Sequence, residues 1–409
     1  MTFQYADYDK HYQNLYPSES ALVVNGRFAE VELDGYKDTT ERENLILQAN
    51  LVGEVATGSV DHTVLFGIEL GNQDTQNARD DNVFEANNDD QLMIPFTDPL
   101  AIPAFDFSVP ARDRESEVDF VSVYLQDQIA LTDKLMMLVG VRYDSFEIDV
   151  FDIIEQNDGD ATAGDFDRKD SEVTPRYGFI YKPSANVSVY ASYSETFLPR
   201  SGEQFLTLNL DAESTRPQFF ENREIGFKWD IRSDLSLTFA AFNLERESYT
   251  SVDPEDPAQV IIIEGSEVDG WELQLAGQIN DFWEITAGYS DLNGEVKRAD
   301  GGGNDGNDTR QTPNSMFSIW NNFAISEKFS IGIGATYQDS FFVREDNNVE
   351  VPDFTRVDAA VYYQMNDRMR LQLNVENLLD EEYFPDAHSN NNITTGEPLN
   401  ARLSLIIDL

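Results

Sequence analysis

The chain has 409 residues, with 76 acidic against 28 basic side chains, a formal net charge of −48 and no cysteine. Charge of that sign and size excludes nucleic-acid binding, which needs a basic face against phosphates, and the missing thiols exclude a disulfide scaffold and thiolate metal centres. At 41% apolar and 12% aromatic residues the chain is nonetheless too apolar to be disordered.

No run of eighteen apolar residues occurs, so no helix spans a membrane; the longest near-apolar stretch is Leu135–Val141. The first residues, Met1–Tyr8, lack the basic region and apolar core of a signal peptide, which for an exported protein reads as a trimmed start. In chain order the pattern predicts about seventeen strands. They are 3–12, 23–34, 43–55, 60–71, 117–132, 135–150, 171–182, 186–197 and 219–231 in the first part. Then come 235–249, 260–277, 282–294, 312–326, 329–343, 353–365, 368–380 and 398–409. The clearest alternate with period 2: Val187–Tyr193, Trp283–Tyr289, Phe329–Tyr337 and Leu371–Glu376 each put apolar residues on one face and small or polar ones on the other.

The connections decide between a soluble sandwich and a barrel. Tight turns fall at 56–59, 133–134, 182–185, 232–234, 280–281, 326–328 and 366–367. Between them lie long polar loops, roughly 72–116, 151–170, 198–218, 250–259, 295–311, 344–352 and 381–397. Strict parity of this kind is the pattern of an antiparallel transmembrane β-barrel with short periplasmic turns and long extracellular loops, and a sandwich has no reason to keep it. Strands such as 117–132 exceed the roughly 9–11 residues that a tilted strand needs to cross a bilayer. Tyr143, Tyr181, Trp229, Trp271, Trp283, Tyr289, Tyr337 and Tyr363 fall near the ends of apolar faces, as interfacial girdles do. Counting back from a periplasmic C-terminus makes 3–12 run inward, and the odd count implies missing N-terminal strands. The acidic stretches Asp74–Asp90 and Asp149–Asp170 read as water-facing loops, solvated or bridged by divalent cations.

Several segments resemble the barrel of TonB-dependent siderophore receptors. They include Asp7–Pro17, His62–Glu69, Tyr124–Gln128, Gly140–Asp144, Pro175–Pro183, Glu221–Trp229, Val351–Asp358 and, most specifically, Asn374–Phe384. The resemblance implies a domain over 1–409, N-terminally incomplete, with most of the usual twenty-two strands and without the plug that carries the TonB-contacting box. It implies an outer-membrane receptor of a Gram-negative bacterium that takes up a ferric siderophore, energised through TonB, and not an enzyme. Outer-membrane lipid and the barrel-assembly machinery are the other expected partners. The final strand carries the assembly signal at Leu403, Leu405, Ile407 and Leu409, with leucine where the family commonly ends in an aromatic residue. A passive porin-like channel, and a secreted β-rich binding protein or adhesin, are the alternatives.

No catalytic pattern stands out, and His11, His62 and His388 lack metal-ligand spacing. For the ligand, aromatic and cationic side chains on outer loops or the upper lumen are expected, because ferric siderophores are often anionic and partly aromatic. Arg79, Phe84, Arg200, Phe341, Phe342 and Arg344 are the candidates, although the scarcity of basic residues disfavours a strongly anionic cargo. No cofactor is expected. The loop Asp300–Asp308, rich in glycine and aspartate, reads as flexible with weak calcium binding at most.

Overall fold

A computed structural model describes residues 1–24, 27–97, 99–154, 164–201, 208, 215–252 and 260–407. The strands are β1 Thr2–Val24, β2 Arg27–Thr57, β3 Val60–Phe84, β4 Leu92–Pro95, β5 Phe105–Thr132, β6 Leu135–Asp152, β7 Asp165–Ser184 and β8 Val187–Leu198. They continue as β9 Gln218–Arg232, β10 Leu235–Arg246, β11 Tyr249–Val252, β12 Val260–Ile263, β13 Gly265–Asn280, β14 Trp283–Lys297, β15 Ser315–Ser326 and β16 Phe329–Gln338. The last are β17 Phe341–Phe342, β18 Glu350–Val351, β19 Phe354–Asn366, β20 Met369–Glu376, β21 Asp386–Ser389, β22 Asn392–Thr394 and β23 Asn400–Ile407. Among the described residues the main sheet has 17 strands. Each long strand pairs antiparallel with the next, β1 to β23; β4 adds to β2 within a connection, and β11–β12, β17–β18 and β21–β22 are separate hairpins in others.

All seven expected tight turns are present, at the ends of β2, β5, β7, β9, β13, β15 and β19. Several segmentations change: 260–277 divides into β12 and β13 and 329–343 into β16 and β17, and two further changes are larger. Of the expected strand 23–34, residues 27–34 belong with 43–55 to the one strand β2 while Val23 and Val24 end β1, because β1 and β2 form a single hairpin registered from Thr2↔Gln48 to Val24↔Arg27. β1 therefore runs from the turn end to the loop end, not inward as expected. The stretch 72–116, expected as a loop, is mostly strand: β3 and β5 pair from Asp61↔Ala130 to Phe84↔Phe105. Their upper halves alternate charged outward residues with packed inward ones, so they lack the apolar face by which a membrane strand is recognised. β1 pairs only with β2 and β23 only with β20 among the described residues. At the outer end Asn391 Nδ2 donates to the Pro17 carbonyl at 2.5 Å, joining the β21–β22 connection to β1.

Side-chain alternation gives the wall two chemistries. Leu51, Phe66, Leu125 and Val141 are registered neighbours on one face and stay 70%, 46%, 48% and 44% exposed. Left in water, each such side chain forgoes roughly 1.5–3 kcal/mol of burial; contact with acyl chains removes that cost. Tyr181, Trp229, Trp283 and Tyr363 lie within a few residues of the tight turns, Trp271 and Tyr337 lie nearer the loops, and Tyr143 and Tyr289 fall mid-strand. The opposite, lumen-facing side is polar. There Gln48 Nε2 donates to Glu69 at 3.1 Å and to Tyr124 Oη at 3.2 Å, and Tyr124 Oη donates to Asn50 at 2.5 Å. Tyr124 lies flat across Gly67, where a Cβ would come within 2.1 Å of the ring.

Above the lipid belt the outward face turns acidic. Asp7↔Glu43, Glu43↔Asp74, Asp74↔Glu117, Glu117↔Asp149 and Asp149↔Asp167 are directly opposed pairs across six strands. Opposed like charges destabilise a sheet. Burial first, then Asp167, Glu147, Asp165 and Asp119, raises the Asp149 carboxyl above its ordinary range. A second row, Glu195↔Glu221↔Glu245↔Glu267↔Glu295, carries built-in compensation. Arg223 pairs with Glu221 and, at 3.5 Å, with Glu245; Lys297 pairs with Glu267 at 3.4 Å and Glu295 at 2.8 Å.

Candidate functional site: the upper lumen wall

Extending the β2 alternation upward from Gln48 and Asn50 places Tyr36, Asp38, Thr40 and Arg42 on the lumen face. Thr75, Asn77 and Arg79 of β3 share this face, and so do Arg112 and Arg114 of β5. Asp38 is the hub: it is buried and accepts hydrogen bonds from two arginines. Arg79 Nε reaches its Oδ2 at 3.0 Å and Arg112 Nη2 reaches the same oxygen at 3.1 Å, while Asn77 Nδ2 donates to Oδ1 at 2.9 Å. Arg79 and Arg112 are directly opposed across the β3–β5 ladder, a like-charge pair that the shared carboxylate makes tolerable. One carboxylate does not neutralise two guanidiniums. Burial first, then the neighbouring Arg79, lowers the Arg112 pKa, and its Nε is buried without an acceptor among the described residues.

The aromatic half of the site packs against the cationic half. The Arg79 guanidinium lies 4.0 Å from the centre of the Tyr36 ring, a cation–π distance. Tyr12 and Tyr16 meet Tyr36 edge-on at 5.7 and 6.0 Å, and Lys10 Nζ sits 4.7 Å over Tyr12. Burial pushes the Tyr12 phenol up to about 12, helped by its hydrogen bond to Tyr36, and burial followed by Asp34 does the same to Tyr16. Both phenols are neutral donors at physiological pH. Arg42 Nε donates to Thr75 Oγ1 at 3.0 Å and Arg114 Nε to Asp152 at 2.5 Å. The inner face thus pairs arginines with Asp38 and Asp152 and also carries Asp34 and Asp81, while the same strands carry the acidic row outside.

The structure does not bring the six expected ligand residues together. Arg79 is in the lumen site. Phe84 is fully buried beside Val31, Leu33 and Ile94, a packing role in the β3–β5 connection. Arg200 is half-buried just beyond β8. Phe341 is buried with Val343, Val351 and Ala387, which ties the β16–β19 connection to the β20–β23 connection. The half-buried Phe342 accepts a backbone hydrogen bond from Gln311 at 2.7 Å, and Arg344 is exposed. Leu403, Leu405 and Ile407 project from the outward face of β23, and Leu409 lies outside the described residues. In the glycine–aspartate loop, Arg298 takes the centre: it pairs with Glu264 at 2.5 Å and Asp300 at 3.1 Å, and its amide donates to Asp305 at 2.7 Å.

Tyr12, Tyr36, Asp38 and Arg112 are absent from the expected set. Residues 35–42 are nearly all polar and give no apolar period, so only the pairing of β1, β2, β3 and β5 brings these four together.

Residues 1–378 match the family model described as TonB dependent receptor-like, beta-barrel. The probable TonB-dependent siderophore receptor PiuA of Acinetobacter baumannii is 30% identical over 400 residues, 90% of this chain and 52% of that protein. Its crystal structure superposes with a TM-score of 0.85 over 99% of this chain and 61% of that one, at 27% identity. The metal-pseudopaline receptor CntO of Pseudomonas aeruginosa is 27% identical over 411 residues, covering 96% of this chain and 55% of CntO. The ferric-catecholate import receptor Fiu of Escherichia coli shares the fold, with a TM-score of 0.79 at 20% identity over 99% of this chain and 60% of Fiu. The chain spans about half the length of the curated relatives it matches. With lipid-facing belt, tight-turn parity and polar lumen all in place, the chain belongs to the TonB-dependent receptor β-barrel family, whose barrels lie in the outer membrane of Gram-negative bacteria.

Proposed function

We propose that the receptor carrying this barrel captures a ferric siderophore at the cell surface and imports it with energy delivered through TonB. One observation carries this: a cation–aromatic constellation, Arg79, Arg112, Tyr36 and Asp38, is built into the lumen wall above the lipid belt. A passive diffusion pore has no need of a recognition site there. The relatives support the same class, since PiuA is named a siderophore receptor, Fiu a catecholate siderophore receptor and CntO a metal-pseudopaline receptor. A metal–chelate complex is the common denominator, with iron the first cargo to test. Cells expressing the receptor with its plug should accumulate ⁵⁵Fe-loaded siderophore only when TonB is present. Uptake indifferent to TonB would replace this reading by the porin-like one. The assembly machinery is expected to read Leu403, Leu405, Ile407 and Leu409, so Leu403→Asp with Leu405→Asp should lower the outer-membrane level of the protein.

A further inference from the structure

Ionisable side chains interrupt the apolar outward face near its tight turns. Asp127 of β5 stands between Val64 and Val139 across the ladders, and between Leu125 and Ile129 along its own strand. His62 of β3 shares this face, opposite Val55 and Ile129. An ionisable residue set against hydrocarbon is costly and marks a functional contact by default. The His62 ring joins two further groups: Nδ1 donates to Asp127 Oδ2 at 2.7 Å, and Nε2 stands 2.7 Å from the Thr57 hydroxyl at the end of β2. Asp127 Oδ1 is buried with no donor among the described residues, and a carboxylate oxygen left so is destabilising. The two-residue turn Gly58–Ser59 follows Thr57 and lies outside the β2–β3 ladder, so its amides are not used in strand pairing. These groups sit at the periplasmic rim of the belt, the level that Tyr181 and Trp229 mark near the tight turns of later strands.

We propose that Thr57, His62 and Asp127 bind the headgroup of a phospholipid that carries a primary ammonium, held at the periplasmic leaflet. The ammonium donates to the Asp127 carboxylate, and the phosphodiester accepts from the Thr57 hydroxyl and the Gly58–Ser59 turn. His62 is the positioning residue, since its ring ties the carboxylate to the hydroxyl and fixes their separation. The headgroup chemistry follows from the donor count. A primary ammonium brings three N–H donors to an under-satisfied carboxylate, and hydrogen bonds between charged partners are the strong ones. A quaternary ammonium brings none, and an anionic glycerol headgroup sets a second negative charge beside Asp127.

The test offers the full receptor, purified in detergent, an equimolar mixture of phosphatidylethanolamine, phosphatidylcholine and phosphatidylglycerol. Native mass spectrometry then reads which lipid stays bound. Phosphatidylethanolamine should be retained about ten-fold over phosphatidylcholine. Asp127→Asn should remove that preference, whereas Asp61→Asn, one residue from His62 but on the lumen face, should keep it. Should the Asp127 variant fail to fold, judged by heat-modifiable gel mobility, the wild type still decides. Successive N-methylation of the ethanolamine headgroup should lower its retention stepwise as N–H donors are lost. Retention indifferent to methylation, a preference that survives Asp127→Asn, or a preference for phosphatidylglycerol overturns the headgroup assignment. None of these outcomes touches the receptor reading, which rests on the lumen wall.

Discussion

Gly67 and Asp38 show how single positions set the wall. A side chain at Gly67 collides with the Tyr124 ring at 2.1 Å, and that ring is fixed by hydrogen bonds to Gln48 and Asn50. Gly67→Ala is expected to cost about 1–3 kcal/mol through the displaced ring, read as a lower temperature for loss of the folded gel band. Tyr124→Leu in the same chain should recover part of it. Asp38→Ala leaves two opposed guanidiniums without their shared acceptor. Because Arg79 and Arg112 remain partly exposed, the expected loss is about 1–3 kcal/mol and not the larger figure for a fully buried pair; denaturant midpoints measure it.

The paired rows of carboxylates are a property of strands and not of residues. In the row from Asp7 to Asp167 every neighbour is a like charge, whereas Arg223 and Lys297 straddle the row from Glu195 to Glu295. Glu117→Gln, at the middle of the uncompensated row, is therefore expected to raise stability by a few tenths to about 1 kcal/mol at low salt, with the gain fading as salt screens the row. The pH dependence has a definite sign. Asp149 has a raised pKa, so the folded state holds its proton more tightly than the unfolded chain does. Its ionisation destabilises the fold, and stability should rise as pH falls from neutral through that raised pKa. Asp149→Asn should raise the melting temperature near pH 7 and flatten its rise toward pH 5. The outer connections respond separately: Phe341 and Val343 pack against Val351 and Ala387, and Asp308 and Asn347 exchange hydrogen bonds of 2.9 and 3.0 Å. Val343→Asp should expose this layer to protease while the heat-modifiable mobility of the barrel is unchanged.

At the scale of the whole molecule, the sheet separates two environments and assigns charge to each. Its outer side meets lipid over the belt and water above it, and its inner side concentrates arginine, tyrosine and hydrogen-bonding groups. This arrangement lets a strongly acidic protein hold paired arginines in its lumen wall. It also explains why the expected ligand residues scattered. Phe84 and Phe341 were expected as loop or lumen aromatics, but Phe84 is buried against Val31, Leu33 and Ile94, and Phe341 against Val343, Val351 and Ala387.

Period-2 alternation, the seven tight turns and the long connections between them are local features, so the sequence alone determined the all-β class, the alternation of tight turns with long connections, and the two-faced strands such as Val187–Tyr193 and Phe329–Tyr337. Family membership was legible for the same reason, in segments such as Asn374–Phe384. What the tertiary structure decided depends on register between strands distant in sequence. Only the β2–β3–β5 ladders bring Asp38 to Arg79 and Arg112, and set Asp7, Glu43, Asp74, Glu117, Asp149 and Asp167 in one line. A strand states which face a residue takes, but its neighbours across the sheet are fixed by pairing geometry that no single segment contains.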